Sequence, residues 1–385
     1  MERIIFVVAV LCAFVLTNQG KEENQSMPVP KNNFDMDLFE DLFNTTFPSE
    51  EELSPACSQT VHDLSSTGLL IIYIAVFVLG VTGNSVVVYV VCCMVRQRTT
   101  TDTFLMHLAL ADLLFALTLP FWAVRLHTGW IFGNVLCKLL SGLQEATVYG
   151  SVFLLACISV DRYFAIVKAT RVLVSRRHLV GLVCGVVWLV ATMLSLPVAV
   201  QIEAMQPEDL GSRLICYENL TGESGDHWRV SVRVIRHTLG FFLPLVVIIF
   251  CYGWSSLTLL YTRNQQKHKA MRIILLVVLG FVLCWLPYNV TVLIDTLVRG
   301  RWLGSETCHI QNRVDLVLYI TQLMAFMHCA VNPVLYAFIG QKFRNQLLLA
   351  LYKHGFISKR IQVAYRKGSV NSTGSSKSRN TSDTL

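Results

Sequence analysis

Seven long apolar segments are the feature that most restricts how this chain can fold. Each is close to the roughly 20 residues that a helix needs to cross the hydrocarbon core of a bilayer. They run over about residues 69–94, 103–126, 136–167, 178–200, 230–261, 271–298 and 314–338. Of 385 residues, 54% are hydrophobic and 15% are charged, whereas soluble domains have about 25% charged residues. The sequence therefore predicts an all-α membrane protein, a seven-transmembrane helix bundle over residues 67–340, and argues against a soluble enzyme.

Two segments of different character precede the bundle. Residues 1–20 combine an early arginine, a short uncharged apolar run and a polar end, a pattern typical of a cleaved secretory signal peptide. Residues 21–66 have little periodicity and many acidic residues, which predicts a flexible polar arm.

Basic residues predict the orientation of the chain. They are concentrated in the connections after the first, third and fifth segments: Arg96, Arg98, Lys168, Arg171, Arg176, Arg177, Arg263, Lys267, Lys269 and Arg272. Because loops rich in lysine and arginine stay in the cytosol, these connections and the C-terminal tail should be cytoplasmic and the N-terminus extracellular. The outer face is acidic, which favours a basic partner.

This orientation divides the cysteines and the glycosylation sequons. Cys57, Cys137, Cys216 and Cys308 would meet the oxidising medium, and four cysteines allow three pairings. The outer sequons begin at Asn24, Asn44 and Asn219, so these asparagines are candidate glycosylation sites.

Ionisable residues inside the apolar segments predict functional positions because they are costly in hydrocarbon. Asp112 is flanked by leucine and alanine, and we expect it to pair with Asn84 and Ser151 around water or a small cation such as sodium. The alternative is a purely structural hydrogen-bond centre. At the end of the third segment, the tripeptide 161–163 places Arg162 beside Asp161, from which it could be released when helices move.

Prolines mark five of the seven segments, and each should kink its helix because it removes a backbone hydrogen bond. They are Pro120, Pro197, Pro244, Pro287 and Pro333. Trp285 lies beside the proline of the sixth segment, and Asn332 and Tyr336 flank that of the seventh.

Taken together with DRY at 161–163, these motifs make the chain resemble a class A, rhodopsin-like G-protein-coupled receptor over about residues 60–355. Longer matches resemble chemokine receptors: LALADLLFALTLP at 108–120, WIFG at 130–133, LACISVDRY at 155–163 and CWLPYN at 284–289. The runs AFIGQKFR at 337–344 and KHKAMR at 267–272 look most like CXC chemokine receptors of the interleukin-8 receptor kind.

The resemblance implies an extracellular face built to bind a small basic CXC chemokine. The resemblance also implies two disulfide bonds, Cys137 with Cys216 and Cys57 with Cys308. The acidic positions of the arm and the family positions of the inner pocket are Asp35, Asp37, Glu40, Asp41, Trp122, Glu145, Arg229, Arg233, Asp295 and Gln322. Arg229 and Arg233 are spaced to clamp an acidic ligand residue. Chemokine receptors commonly have glutamate where this chain has Gln322, and the arm contains no tyrosine to be sulfated.

The resemblance also implies a cytosolic signalling face. Released Arg162 would be capped by Tyr252 and Tyr336, with Asp161 and Tyr163 beside it, as an inhibitory heterotrimeric G protein binds. Residues 341–354 resemble a short amphipathic eighth helix in contact with membrane lipid. The tail 355–385 is expected to be disordered and to recruit receptor kinases and arrestin through phosphorylation at Ser369, Ser372, Thr373, Ser375 and Ser376.

The resulting expectation is a plasma-membrane receptor that drives leukocyte chemotaxis and calcium signalling, without cofactor other than an allosteric sodium ion and without nucleic-acid partner. A chemokine scavenger would be expected to alter residues 161–163, which are intact. A receptor for a different peptide remains an alternative. A secondary transporter is disfavoured because the two halves show no repeat. Enzymatic activity is not expected because no nucleophile–base or metal-ligand arrangement appears.

Overall fold

The computed structural model describes residues 66–95, 98–167, 177–206, 213–218, 230, 233–261, 265–299, 308–339, 341–358 and 360. Among these residues, seven helical spans are long and apolar enough to cross a membrane. They are Thr67–Met94, Thr100–Thr128, Gly133–Ile166, Leu179–Gln201, Arg233–Leu260, Leu275–Val298 and Ile310–Tyr336, here called spans one to seven. The predicted seven-helix membrane fold is therefore confirmed, and the signal-like start, the acidic arm and most of the tail lie outside the described residues.

The spans are built from the following elements. The α-helices are α1 Ser66–Tyr89, α2 Thr100–Thr128, α3 Gly133–Ile166, α4 Arg177–Gln201, α5 Leu243–Leu260, α6 Gln265–Arg299, α7 Cys308–Phe326, α8 His328–Ile339 and α9 Gln341–Lys353. Two π-helical turns, Val90–Met94 and Thr238–Phe242, lie in spans one and five. Two short antiparallel strands, β1 Ile202–Met205 and β2 Ile215–Glu218, pair so that Ile202 is opposite Glu218.

The bundle is apolar outside and carries polar side chains inside, the reverse of a soluble protein. Large aliphatic side chains on its outer surface, such as Leu283 and Ile249, are more than 60% exposed. Asn84, Asp112 and Asn332 are at most 1% exposed. Charged and amide groups are costly in hydrocarbon, and their place in the interior lets them form hydrogen bonds away from lipid.

Span seven is broken between α7 and α8 at Met327, six residues before the proline that was expected to mark its kink. A proline cannot donate to the carbonyl four residues earlier, which for Pro333 is that of Cys329. Asn84 of span one fills this role instead, since its Nδ2 donates to the Cys329 carbonyl oxygen at 2.7 Å. The kink in span seven is thus tied to span one.

A disulfide joins the start of span three to the strand pair. Cys137 and Cys216 are bonded, with their Cα atoms 5.7 Å apart, as the family resemblance implied. The buried Trp130 packs in the same cluster, and its backbone N–H donates to the Leu214 carbonyl at 2.7 Å. We call this side of the bundle the disulfide end. Because consecutive spans run in opposite directions, spans two, four and six finish there and spans three, five and seven begin there.

Candidate ligand pocket and switch residues

Two ion pairs connect span five to its neighbours in the half of the bundle nearest the disulfide end. Arg233 Nη1 lies 2.8 Å from Asp295 Oδ2 of span six, and Asp295 is nearly fully buried. Arg236 Nη1 lies 3.4 Å from Glu145 Oε1 of span three. The structure therefore brings together Glu145, Arg233 and Asp295, three predicted pocket residues, on three adjacent spans. The expected clamp differs in one respect, because Arg233 already has an acidic partner within the bundle.

Arg236 was not among the sequence-based candidates. It lies three residues after Arg233 and therefore close to the same helix face, and this spacing was the available signal. Arg229, the other half of the predicted clamp, lies outside the described residues.

A buried polar chain continues from these ion pairs toward Trp285. Arg236 Nη2 lies 3.5 Å from His237 Nε2. His237 Nδ1 lies 2.6 Å from Asn289 Oδ1, and Asn289 Nδ2 donates to the Trp285 carbonyl at 2.9 Å. In this arrangement the Nδ1–H of a neutral His237 donates and its Nε2 accepts. The ionic pocket is thereby linked to the backbone two residues before Pro287.

The other two predicted pocket residues lie on spans two and seven. Trp122 packs against Trp130, with ring centroids 5.2 Å apart, and the Arg125 guanidinium lies 5.6 Å from its ring. Its indole N–H is buried and has no hydrogen-bond partner within the described part of the chain. Gln322 is half-buried on span seven.

Asp112 is the centre of a second buried group, deeper in the bundle. Asn332 Nδ2 donates to its Oδ2 at 2.7 Å, and His328 Nε2 lies 3.5 Å from its Oδ1. Within the described residues, Asn84 and Ser151 do not hydrogen-bond to Asp112 directly, and their predicted pairing around water or a small cation stays a prediction. Instead, Asp112 Oδ1, Asn84 Oδ1 and Ser151 Oγ are all buried without a hydrogen-bond partner among the described residues.

His328 connects this group to Trp285. Its ring centroid lies 5.3 Å from that of Trp285, and the residue is 1% exposed. Sequence reasoning missed His328, although an ionisable side chain within an apolar span is itself a signal. Trp285 therefore contacts both buried groups, through its carbonyl on one side and its ring on the other.

At the end of span three opposite the disulfide, Arg162 forms an ion pair with the adjacent Asp161, as its sequence neighbourhood predicted. Tyr163 packs against Phe250 of span five, with centroids 6.0 Å apart. The hydroxyls of Tyr252 and Tyr336 are buried and have no hydrogen-bond partner in the described ranges. The structure thus shows Arg162 paired with Asp161, and the capping of a released arginine by Tyr252 and Tyr336 stays a prediction.

Comparison with known proteins shows which family the chain is similar to. The family described as 7 transmembrane receptor (rhodopsin family) matches residues 83–336. The C-X-C chemokine receptor type 1 of Oryctolagus cuniculus is 46% identical over 338 residues, which are 87% of this chain and 94% of the relative. The type 1 receptor of Homo sapiens is 45% identical over 336 residues, or 87% and 95% of the two chains. The type 2 receptor of Oryctolagus cuniculus is 44% identical over 354 residues, or 91% and 97%.

The chain belongs to the rhodopsin family of seven-transmembrane receptors, and within it to the C-X-C chemokine receptors. The resemblance stated from its motifs is confirmed. The receptor is a multi-pass protein of the plasma membrane, and its family is one of receptors and not of enzymes.

Several predicted positions of the receptor lie outside the described residues. They are Asp35, Asp37, Glu40 and Asp41 of the arm, Cys57, Arg229, the sequon residues Asn24, Asn44 and Asn219, and the tail positions Ser369, Ser372, Thr373, Ser375 and Ser376. Cys308 begins α7, but its side chain is not described, so its pairing with Cys57 stays a prediction.

Proposed function

We propose that this receptor binds a basic CXC chemokine at an extracellular face, which is the disulfide end, and activates an inhibitory heterotrimeric G protein at the opposite face. The observation that carries the proposal is the pair of ionic contacts Arg233–Asp295 and Arg236–Glu145 in the half of the bundle nearest the disulfide. A disulfide forms in oxidising medium, which supports this orientation.

The ionic pocket suits a flexible ligand segment that carries both charges. A ligand carboxylate could displace Asp295 and take a two-pronged hydrogen bond from Arg233, whereas a ligand amine could displace Arg236 from Glu145. Each exchange keeps Arg233 or Glu145 paired. The displaced Asp295 is nearly fully buried and must find a new partner in turn, because a stranded buried charge costs several kcal/mol. The acidic arm, with Asp35, Asp37, Glu40 and Asp41, would hold the folded body of the basic chemokine.

The switch follows from the contacts of Trp285. Ligand binding that moves Arg236 removes a contact of His237. Because His237 also contacts Asn289, this change reaches the Trp285 backbone beside the proline kink. A shift of span six would then separate Arg162 from Asp161 and open a groove for a G-protein helix, with Tyr252 and Tyr336 accepting the freed arginine. The magnitude of the response depends on how much more tightly the ligand binds the receptor with the groove open than the receptor with Arg162 paired to Asp161.

The group around Asp112 would hold a sodium ion. Hard cations bind oxygen ligands, and three buried oxygens have no hydrogen-bond partner among the described residues: Asp112 Oδ1, Asn84 Oδ1 and Ser151 Oγ. A bound sodium ion would neutralise the carboxylate. Asn332 would keep the other oxygen of Asp112 in place through its 2.7 Å hydrogen bond.

At the cytosolic face, α9 would lie on the membrane surface and the tail would recruit regulators. Phosphorylation at Ser369, Ser372, Thr373, Ser375 and Ser376 by receptor kinases would add the negative charge that arrestin binds.

The experiment that tests the proposal is inhibition of cyclic AMP in cells expressing the receptor, challenged with a panel of CXC chemokines with and without pertussis toxin. A response that the toxin abolishes is expected. Saturable chemokine binding without a response would instead indicate a scavenger, and absence of binding would refute the ligand assignment. Arg162→Ala is the matched variant, because it should bind chemokine normally and give no response.

A further inference from the structure

Two adjacent cysteines at the end of span one are unlike the other free cysteines that the structure describes. Cys92 and Cys93 are exposed, whereas the remaining free thiols in the described ranges are half-buried or buried. The latter are Cys157, Cys184, Cys251, Cys284 and Cys329. A buried thiol behaves as a small apolar side chain, but an exposed one is available for chemistry.

The two thiols lie at the end of the bundle opposite the disulfide. Span two begins at Thr100, shortly after Cys93, and finishes beside Trp130, which packs against Cys137 and Cys216. The start of span two, and with it the end of span one, is therefore on the other side of the membrane. In the orientation of the proposed function this side is the cytosol, where thiols stay reduced.

Their depth is that of the membrane–water boundary. The amphipathic helix α9 packs against the π-helical turn that contains both cysteines, and Tyr89 Oη lies 2.8 Å from His354 Nε2 just beyond α9. An amphipathic helix of this kind lies at the level of the lipid headgroups. Cys92 and Cys93 are thus at the depth where an acyl chain can enter the bilayer while its thioester stays at the surface.

The local backbone is a π-helical turn in which both cysteines stay exposed, and the Cys92 thiol donates to Met106 Sδ of span two at 3.4 Å. In the π-helical turn Val90–Met94 the hydrogen bonds span five residues, as in Val95 N–H to Val90 O at 3.2 Å, so neighbouring side chains are closer in direction than in an α-helix. Arg98 fixes this turn, since its guanidinium donates to the carbonyls of Val91 at 3.2 Å and Cys92 at 2.9 Å.

We propose that Cys92 and Cys93 form an S-acylation site that takes a long-chain acyl group from acyl-coenzyme A through a membrane acyltransferase. The cysteine Sγ attacks the thioester carbonyl carbon of the acyl donor and forms a new carbon–sulfur bond. The bond from that carbon to the coenzyme A sulfur breaks, and the cysteine proton leaves with coenzyme A as its free thiol. Nothing is oxidised or reduced. Juxtamembrane cysteines are known substrates for this reversible modification.

The acyl chain would anchor span one beside α9. No cysteine occurs in residues 341–385, so the chain offers no thiol on or after the amphipathic helix. The exposed apolar face of span one, with Val86 and Leu79 toward its middle, provides a surface along which the acyl chain can pack.

The test measures thioesters on the full-length receptor expressed in mammalian cells. The protein is denatured and reduced, its free thiols are blocked with N-ethylmaleimide, thioesters are cleaved with neutral hydroxylamine, and the new thiols are coupled to maleimide-polyethylene glycol. A hydroxylamine-dependent gel shift is expected for the wild type and for the control Cys157→Ser. It should be lost when Cys92→Ser and Cys93→Ser are combined. A wild type without the shift, or a double variant that keeps it, would overturn the proposal.

Mass spectrometry of the wild type makes the test independent of how well the variants fold. The peptide spanning residues 92–93 should carry an acyl mass that hydroxylamine removes, and its absence would refute the assignment. The inference rests on the proposed orientation, so the cyclic AMP assay is run on the same cells. A toxin-sensitive chemokine response without acylation would contradict this inference alone, whereas acylation without a response would contradict the proposed function alone.

Discussion

The hydrogen bond between His237 and Asn289 gives the most direct quantitative test of the internal arrangement of the receptor. Their side-chain atoms Nδ1 and Oδ1 lie 2.6 Å apart, and the exposed fractions are 9% and 4%. We expect His237→Ala and Asn289→Ala each to lower the free energy of unfolding, because each leaves the other buried group without its partner.

The expected loss of stability follows from which buried group each variant leaves without a hydrogen-bond partner. A buried donor or acceptor left unsatisfied costs about 1–3 kcal/mol, whereas removing both partners of a hydrogen bond costs much less. The sum of the two single variants contains two such costs and the double variant contains neither, so the double variant should lose at least about 2 kcal/mol less stability than the sum. A difference of this size exceeds the roughly 0.3–0.5 kcal/mol within which independent substitutions add.

The assay is equilibrium unfolding of the purified receptor in mixed micelles as the fraction of sodium dodecyl sulfate is raised. Thr296→Val provides the control, because the Thr296 hydroxyl donates to Val292 of its own helix at 2.8 Å. Thr296 is seven residues beyond Asn289, about 10 Å along the helix at 1.5 Å per residue. Its effect should simply add to that of His237→Ala.

Additive losses for His237→Ala and Asn289→Ala would refute the proposed link between the ionic pocket and Trp285. The two side chains would then not be coupled, and the route from Arg236 to the backbone beside Pro287 would be interrupted. Non-additivity in the Thr296→Val control as well would show a general loosening of spans five and six rather than a specific hydrogen bond.

Three further predictions test other parts of the receptor. Gly240→Ala should lower stability by about 1–3 kcal/mol, since a Cβ at this position would overlap Cε1 of Tyr149. Gly253→Ala, with nothing within 4 Å of its Cβ, should be neutral or stabilising in the same unfolding assay. Arg162→Ala should abolish G-protein activation in a nucleotide-exchange assay without weakening chemokine binding, and normal activation would contradict its assigned role. Sodium should lower agonist affinity in radioligand binding, and Asp112→Asn should remove that dependence; an unchanged sodium effect would make Asp112 purely structural.

The architecture was accessible from the sequence because the bilayer imposes a simple requirement. A run of about 20 apolar residues has few alternatives to a spanning helix, so the predicted and observed spans differ by only a few residues at most ends. The Cys137–Cys216 pairing was predicted from the family resemblance, because the cysteine positions alone allowed three pairings.

The partners of the buried polar groups were less accessible. Glu145, Arg233 and Asp295 were correctly placed in one region, but the choice of Asp295 for Arg233 and of Arg236 for Glu145 depends on how three helices pack. His328 was overlooked for a similar reason, since it contacts the rings of Phe281 and Trp285, which are distant from it in sequence. Pattern reasoning finds polar residues in apolar spans, but their pairing is decided by rotation of the helices about their axes.

The hydrogen bonds around Asp112 leave its Oδ1 without a donor among the described residues. The Nδ2 groups of Asn84 and Asn332 already donate, to the Cys329 carbonyl and to Asp112 Oδ2. His328 Nδ1 lies 2.6 Å from the Ala325 carbonyl, and a carbonyl can only accept, so a neutral His328 carries its proton on Nδ1 and has only a lone pair at Nε2. That lone pair faces Asp112 Oδ1 at 3.5 Å. Two acceptors in a buried site repel each other unless a proton, a cation or a water molecule lies between them, and the sodium ion of the proposed function is one partner that would separate the two.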